Sequence, residues 1–187
     1  MRWKSFSDRC SEAARMRWIV ITFLMSAILL MALRTLDAPL KTEAAPRGII
    51  SFELANNYES SRLILSSWNA DAKLNAALSL GLDYLFLVVY ALFLSLTCIQ
   101  VAKAIKSDHS FFFMLARVLA WSQLLAAVLD AVENMALIQL LLNSSRKWLP
   151  ILARWCAMVK FSIVGAGLIF IVGGLLAIGI KKGLLKK

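Results

Sequence analysis

Four apolar stretches, 18–33, 84–102, 111–142 and 161–180, constrain this chain more than any other feature. A helix needs about 20 residues to cross the hydrocarbon of a bilayer, and each stretch reaches that length with at most a turn of flanking residues. In the first, Arg17 and Arg34 stand at the two ends, where long basic side chains extend their charge to the headgroups. That run is longer than a secretory h-region and no small-x-small site follows Leu33, so a retained helix is expected rather than a cleaved leader. With 60% hydrophobic against 17% charged residues in 187 positions, most of the chain belongs in lipid. The expected fold is all-α: a four-transmembrane-helix bundle in one integral membrane domain, with spans over 17–36, 71–105, 110–143 and 150–181.

The net charge of +10 then needs an explanation other than a polyanion partner. Basic loops tend to stay cytoplasmic. Placing the N-terminus inside collects Arg2, Lys4, Arg9, Arg15 and Arg17, then Lys103 and Lys106, then Lys181, Lys182, Lys186 and Lys187 on one side. The other side holds Lys41, Arg47, Arg62 and Lys73 among Asp37, Glu43, Glu53, Glu59 and Asp71, and a short loop with Arg146, Lys147 and Arg154. Both termini are expected in the cytoplasm, and the charge reads as an orientation and lipid-headgroup signal; no nucleic acid is implied. Trp18, Trp68, Trp148 and Trp155 fall near the expected interfaces, whereas Trp121 lies deeper. Over 1–16, Trp3, Phe6, Cys10, Ala13 and Ala14 recur at helical spacing, as in an amphipathic helix on the cytoplasmic surface.

The segment 37–70 is too long for a plain connection. Ala38-Pro39 and Ala45-Pro46 mark its start as a linker, and the apolar residues Ile49, Ile50, Phe52, Leu54, Leu63, Ile64, Leu65 and Trp68 predict short amphipathic helices beyond it, outside the cytoplasm. Asn69 or Asp71 is suited to cap the next helix.

Alternating the direction of the four spans brings Arg34, Asp83, Asp130 and Lys160 to the same, outer ends. Glu133 and Asn134 follow Asp130 at i+3 and i+4, so the three project from one helical face, with Gln123 two turns below. On the second span Asn75, Ser79, Asp83, Tyr90 and Thr97 form a stripe, and on the fourth Cys156, Lys160, Ser162, Gly165 and Gly167 include small residues that permit close approach. Charges at membrane depth cost about 2.5–3.5 kcal/mol each on translocon-type scales, so these groups are expected to face one another. Lys160 is positioned to neutralise one carboxylate and Arg34 a second, while Asp130 and Glu133 on adjacent turns repel unless one carries a proton near neutral pH.

Three readings follow. In the first, Asp83, Asp130, Glu133, Asn134, Lys160, Arg34 and Tyr90 line an outward-facing pocket that binds, or binds and modifies, a membrane lipid or amphipathic small molecule. Asp130 or Glu133 would then be the proton donor or acceptor. In the second, the cluster fixes helix register in an accessory subunit of a larger membrane complex or homo-oligomer. The third is a proton or ion pathway, for which few polar side chains continue below Thr97, Gln100 and Gln123.

Other chemistry finds little support. Cys10, Cys98 and Cys156 are far apart and give no CxxC, so neither a disulfide framework nor a zinc site is expected. His109, the only histidine, sits in a polar turn. A hard cation among Asp83, Asp130, Glu133 and Asn134 would compete with Lys160, so no metal and no cofactor is assigned. Arg117 is expected to snorkel, and Gly173, Gly174, Ala177 and Gly179 to form a packing face.

The blocks Ser51-Phe52-Glu53-Leu54-Ala55, Ser79-Leu80-Gly81-Leu82-Asp83-Tyr84-Leu85-Phe86, Leu129-Asp130-Ala131-Val132-Glu133-Asn134 and Trp155-Cys156-Ala157-Met158-Val159-Lys160-Phe161 resemble those of small bacterial four-span membrane proteins to which no activity attaches. The resemblance covers 49–174 and implies a bacterial inner membrane, with no substrate. Four-span sterol isomerases and sigma-2-receptor-like proteins are a more distant analogy, since they too place carboxylates in a membrane pocket. The chain lacks the histidine expected of the isomerases.

Overall fold

The computed structural model describes residues 12–105 and 110–184. The segment before residue 12, the turn holding His109 and the last residues of the basic tail lie outside them. All described elements are helical, and four are long and apolar enough to cross a membrane. These are α1 (Glu12–Asp37), α4 (Ala70–Ile105), α5 (Ser110–Leu141) and α6 (Leu149–Leu184). Between α1 and α4 lie a single 3-10 turn (Ala38–Leu40) and two short helices, α2 (Ile49–Glu53) and α3 (Tyr58–Ser67). The protein is thus a multi-pass, membrane-type helical protein. The 36 residues of α4 extend about 54 Å at 1.5 Å per residue, more than the roughly 30 Å of hydrocarbon requires.

Helices α4, α5 and α6 form the core. Each turns a stripe of small residues inward at helical spacing: Ala72, Ala76 and Ala91 on α4, Ala116, Ala120 and Ala127 on α5, and Ala153, Ala157 and Gly167 on α6. In lipid there is little hydrophobic drive between helices, so small side chains that let backbones approach supply the packing. A ring contact between α5 and α6 fills a wider gap, with Phe112 against Phe170 at 5.0 Å.

Helix α1 is attached differently. Its buried residues are Arg15, Thr22 and Leu29, spaced by seven, which makes one narrow seam against α4. At its start, Arg15 Nε donates to Gln100 Oε1 of α4 at 2.7 Å, which fixes the antiparallel pairing. Trp18, Phe23, Leu24, Ile28 and Met31 remain exposed. Helix α1 begins at Glu12, so 12–16, expected before the span, continue it without a break.

The 38–69 segment folds over one end of the core as a cap. Its start is not the linker expected from Pro39 and Pro46: Leu40 and Ala45 are fully buried and Thr42 and Ala45 exchange backbone hydrogen bonds. Prolines stiffen this stretch rather than free it, because φ is fixed and less chain entropy is lost on ordering. Gly48 adopts φ 58°, and a Cβ there would lie 2.1 Å from Asp37 Oδ1. That same oxygen accepts from Ile49 N at 2.7 Å, so the end of α1 caps the start of α2. Asn57 accepts from Ser60 N at the start of α3, and Asn69 from Ala72 N at the start of α4, both at 2.8 Å. Trp68 is buried, its indole N–H donating to Leu40 O at 2.9 Å and its ring lying edge-on to Phe52. It therefore anchors the cap and does not join the interfacial belt expected of it. Phe52, Ile64, Leu65 and Trp68 pack with Ala76, Leu80, Leu137, Leu140 and Leu149 from the ends of the core helices.

Two adjacent glycines test the close packing. A Cβ on Gly174 would lie 2.2 Å from Val101 Cγ1, on a β-branched side chain with little rotamer freedom, whereas one on Gly173 meets nothing within 4 Å. Gly174→Ala is expected to destabilise the detergent-solubilised protein by about 1–3 kcal/mol and Gly173→Ala to leave its melting temperature unchanged or raise it slightly, as read by thermal unfolding.

Candidate functional site

Beneath the cap, roughly three turns in from the end of the core, polar side chains from α4, α5, α6 and α2 meet. Lys160 on α6 is the hub. Its Nζ lies 2.5 Å from Asp130 Oδ1 and 2.9 Å from Glu133 Oε2, both on α5. Asp130 and Glu133 are one turn apart on one face, which is the spacing that lets a single ammonium reach both. The second oxygen of Asp130 accepts from the Tyr90 hydroxyl of α4 at 3.0 Å. Asn134, one residue beyond Glu133, donates through Nδ2 to Asp83 Oδ2 at 2.6 Å. Tyr84, on the same stretch of α4, donates to the backbone carbonyl of Ala131 at 3.1 Å. Asp130, Glu133, Asn134 and Lys160 are buried and Asp83 is half-buried.

Asp83, Asp130, Glu133, Asn134, Lys160 and Tyr90 thus come together. Arg34 does not. It is exposed on α1, which packs on the side of α4 rather than among the core helices, so the charge expected to neutralise a second carboxylate stays outside the cluster. Gln123, two turns below Asp130, is fully buried and donates to Ile163 O at 3.2 Å; Gly167 makes room for it, since a Cβ there would lie 2.5 Å from its Nε2. Ser162 of the expected α6 stripe is exposed.

The residue that the sequence reading passed over is Glu53, at the end of α2. It is buried with Phe52, and its carboxyl reaches that of Glu133 and feels the charges of Lys160, Asp130 and Asp37. Burial pushes its pKa above the ordinary glutamate value. Lys160 pulls it down, Asp130 pushes it up, the Glu133 contact lowers it and Asp37 raises it, with burial prevailing. The signal was present in the sequence: Ile49, Phe52 and Glu53 share a face at i, i+3 and i+4, so an acid sits where an apolar contact would be expected.

The cluster therefore gathers four carboxyl groups, Glu53, Asp83, Asp130 and Glu133, around one ammonium among the described residues. The Glu133 oxygens and Glu53 Oε2 are buried without a hydrogen-bond donor, although Glu133 Oε2 has the Lys160 ion pair. Excess buried negative charge of this kind has to be met by protons or by a cationic group. The arrangement is suited to holding a polar headgroup or exchanging a proton. Among the described residues, no three or more His, Cys, Asp or Glu side chains are grouped as a metal ion requires.

No family model, curated protein or solved structure matches the chain. The functional reading consequently rests on this geometry.

Removing the hub should be far costlier than removing a branch. Lys160→Met is expected to cost about 3–5 kcal/mol by leaving buried carboxylates without their cation, and Tyr90→Phe about 1 kcal/mol for one hydrogen bond. Arg34→Ala should fall within about 0.5 kcal/mol of the parent. Chemical or thermal unfolding in detergent checks all three.

Proposed function

We propose that this protein binds an amphipathic small molecule or lipid within the membrane, holding its polar head at the Lys160 cluster beneath the cap. One observation carries the reading: a buried, acid-rich ionic network with carboxylate oxygens that lack donors. A buried ion pair contributes little stability compared with apolar packing of the same volume. Groups of this kind inside a membrane are therefore functional candidates by default. In this reading Lys160 meets an anionic part of the head or orients the acids, Asp130 and Glu133 exchange a proton with it, and Asp83 and Asn134 form the far wall. The cap excludes water, which strengthens each interaction in the site.

The setting proposed is a bacterial inner membrane, with both termini in the cytoplasm and the cap outside it. The distribution of Lys and Arg along the sequence supports that orientation. The short cap helices then sit at the outer membrane surface.

A second reading, an accessory subunit of a larger membrane assembly, is favoured by α1. Its single seam leaves Trp18, Phe23, Leu24, Ile28 and Met31 available to another helix as readily as to lipid.

Asp130→Asn and Glu133→Gln discriminate the two. The protein is purified in nanodiscs and its retained lipids and small molecules are measured by native mass spectrometry. Binding predicts that both variants stay folded and lose an amphiphile which the parent retains. Variants that fail to fold, or that retain everything the parent retains while a stoichiometric partner co-purifies, favour the accessory reading.

A further inference from the structure

The geometry points to a proton-binding site between Glu53 of the cap and Glu133 of α5, whose occupancy holds the cap closed over the Lys160 cluster. Two buried carboxyl groups in contact, one on each side of the boundary between cap and core, leave Glu53 Oε2 and Glu133 Oε1 without a donor. A proton held between them turns repulsion into a hydrogen bond. The other members of the cluster have partners: Asp130 has Lys160 and Tyr90, Asp83 has Asn134, and Lys160 has two carboxylates.

The surroundings act in both directions. Facing the pair are Lys160 from α6, Asp130 from α5, Asp83 from α4 and Asp37 from the end of α1. Three acids against one ammonium disfavour a second full negative charge at the pair, and burial works the same way. The Glu53 carboxyl accordingly keeps its proton above the usual glutamate range. The sign for the cap follows. The closed state holds a proton that the open, solvated state releases, so closure is fully favoured below the ordinary glutamate value and is lost as pH rises through the raised one.

The mechanical consequence comes from how lightly α2 is otherwise held. It has five residues, follows the positive-φ Gly48 and is capped by Asp37. Its buried anchors are Phe52, against Trp68, and Glu53 itself. Losing the shared proton thus places like charges at one of its two anchors. Ligand entry, in the reading proposed above, would use this opening, but the latch exists without any ligand.

Cys156 gives the readout, because it is buried beside Glu133 and Lys160. Its maleimide labelling is followed by peptide mass spectrometry in nanodiscs, comparing the parent with Glu53→Gln at each pH, so that the ordinary rise of thiolate with pH is common to both. The amide reproduces a neutral, donating partner for Glu133. The parent-to-variant ratio of labelling rates is expected to rise at least about tenfold between about pH 5 and about pH 8. Glu133→Gln, which supplies the donor from the other side, should also remove the pH dependence of the protection factors of the 49–53 amides, the exchange rates being divided by those of the unstructured segment at each pH. A protonated-carboxyl infrared band at neutral pH that disappears in Glu53→Gln completes the expected set. A flat ratio, a Glu53→Gln protein that labels rapidly at every pH or does not fold, or an infrared spectrum with every carboxylate ionised at neutral pH would overturn the latch. None of these measurements involves an amphiphile, so their failure is separate from failure of the retention test.

Discussion

The ammonium of Lys160, seated between Asp130 and Glu133, is the constraint around which the rest of the structure is arranged. In a medium of low dielectric a charge has to find its partner at contact distance, and the partners here come from a different helix. Sliding α6 by a single residue along α5 would rotate Lys160 about 100° out of register. The alanine and glycine stripes bring α4, α5 and α6 close, but small apolar contacts of similar size recur along each helix and choose poorly among registers. The ion pairs, with Tyr90 on Asp130 and Asn134 on Asp83, make the choice. A buried ion pair adds little net stability, since desolvation of the charges offsets much of the Coulombic gain.

The cap follows from the same constraint. A charged cluster a few turns inside a bundle is only as dry as whatever closes the bundle above it. The 38–69 segment closes it with a small apolar core of its own, built on Phe52 and Trp68, and lowers one further acid into the cluster. The orientation of that acid is set some distance away. Asp37 ends α1 and receives the first amide of α2, and Gly48 supplies the left-handed turn that lets the chain pass so close to the Asp37 carboxylate. Helix α1, loosely attached along most of its length, thereby takes part in the site through its last residue.

The parts of this arrangement that were legible in the sequence are those governed by periodicity along a single helix. Four apolar runs are enough for four spans, and Asp130, Glu133 and Asn134 at i, i+3 and i+4 have to share a face. Matching the depths of Asp83, Asp130 and Lys160 needed only alternating direction. What was illegible depended on which helix neighbours which. Arg34 has the right depth, but the single seam of Arg15, Thr22 and Leu29 places α1 beside α4 and leaves Arg34 exposed. Glu53 was hidden for a different reason. An acid in a polar connection ordinarily means solvent, and only its place on one face with buried Phe52 and partly buried Ile49 marks this one as inward. Trp68 is ambiguous in sequence, because an aromatic near a span end fits a membrane interface and a folded cap equally well; the Leu40 carbonyl, which takes its N–H, places it in the cap.

Charge balance joins the binding reading to the proton site. Lys160 is already engaged, so a headgroup gains a place only by exchanging with a carboxylate or by altering the protonation of the pair above it. An anionic head drawn to Lys160 adds negative charge to a cluster that already holds four acids, and it is accommodated most cheaply with uptake of a proton. A cationic head does the opposite and displaces one. Because linkage is reciprocal, each ligand would in turn shift the proton affinity of the Glu53–Glu133 pair by the factor by which protonation shifts its own affinity. In the proposed reading both would reach the cap through the same contact. Buried acids in excess of their cation are what would make that coupling available to the fold.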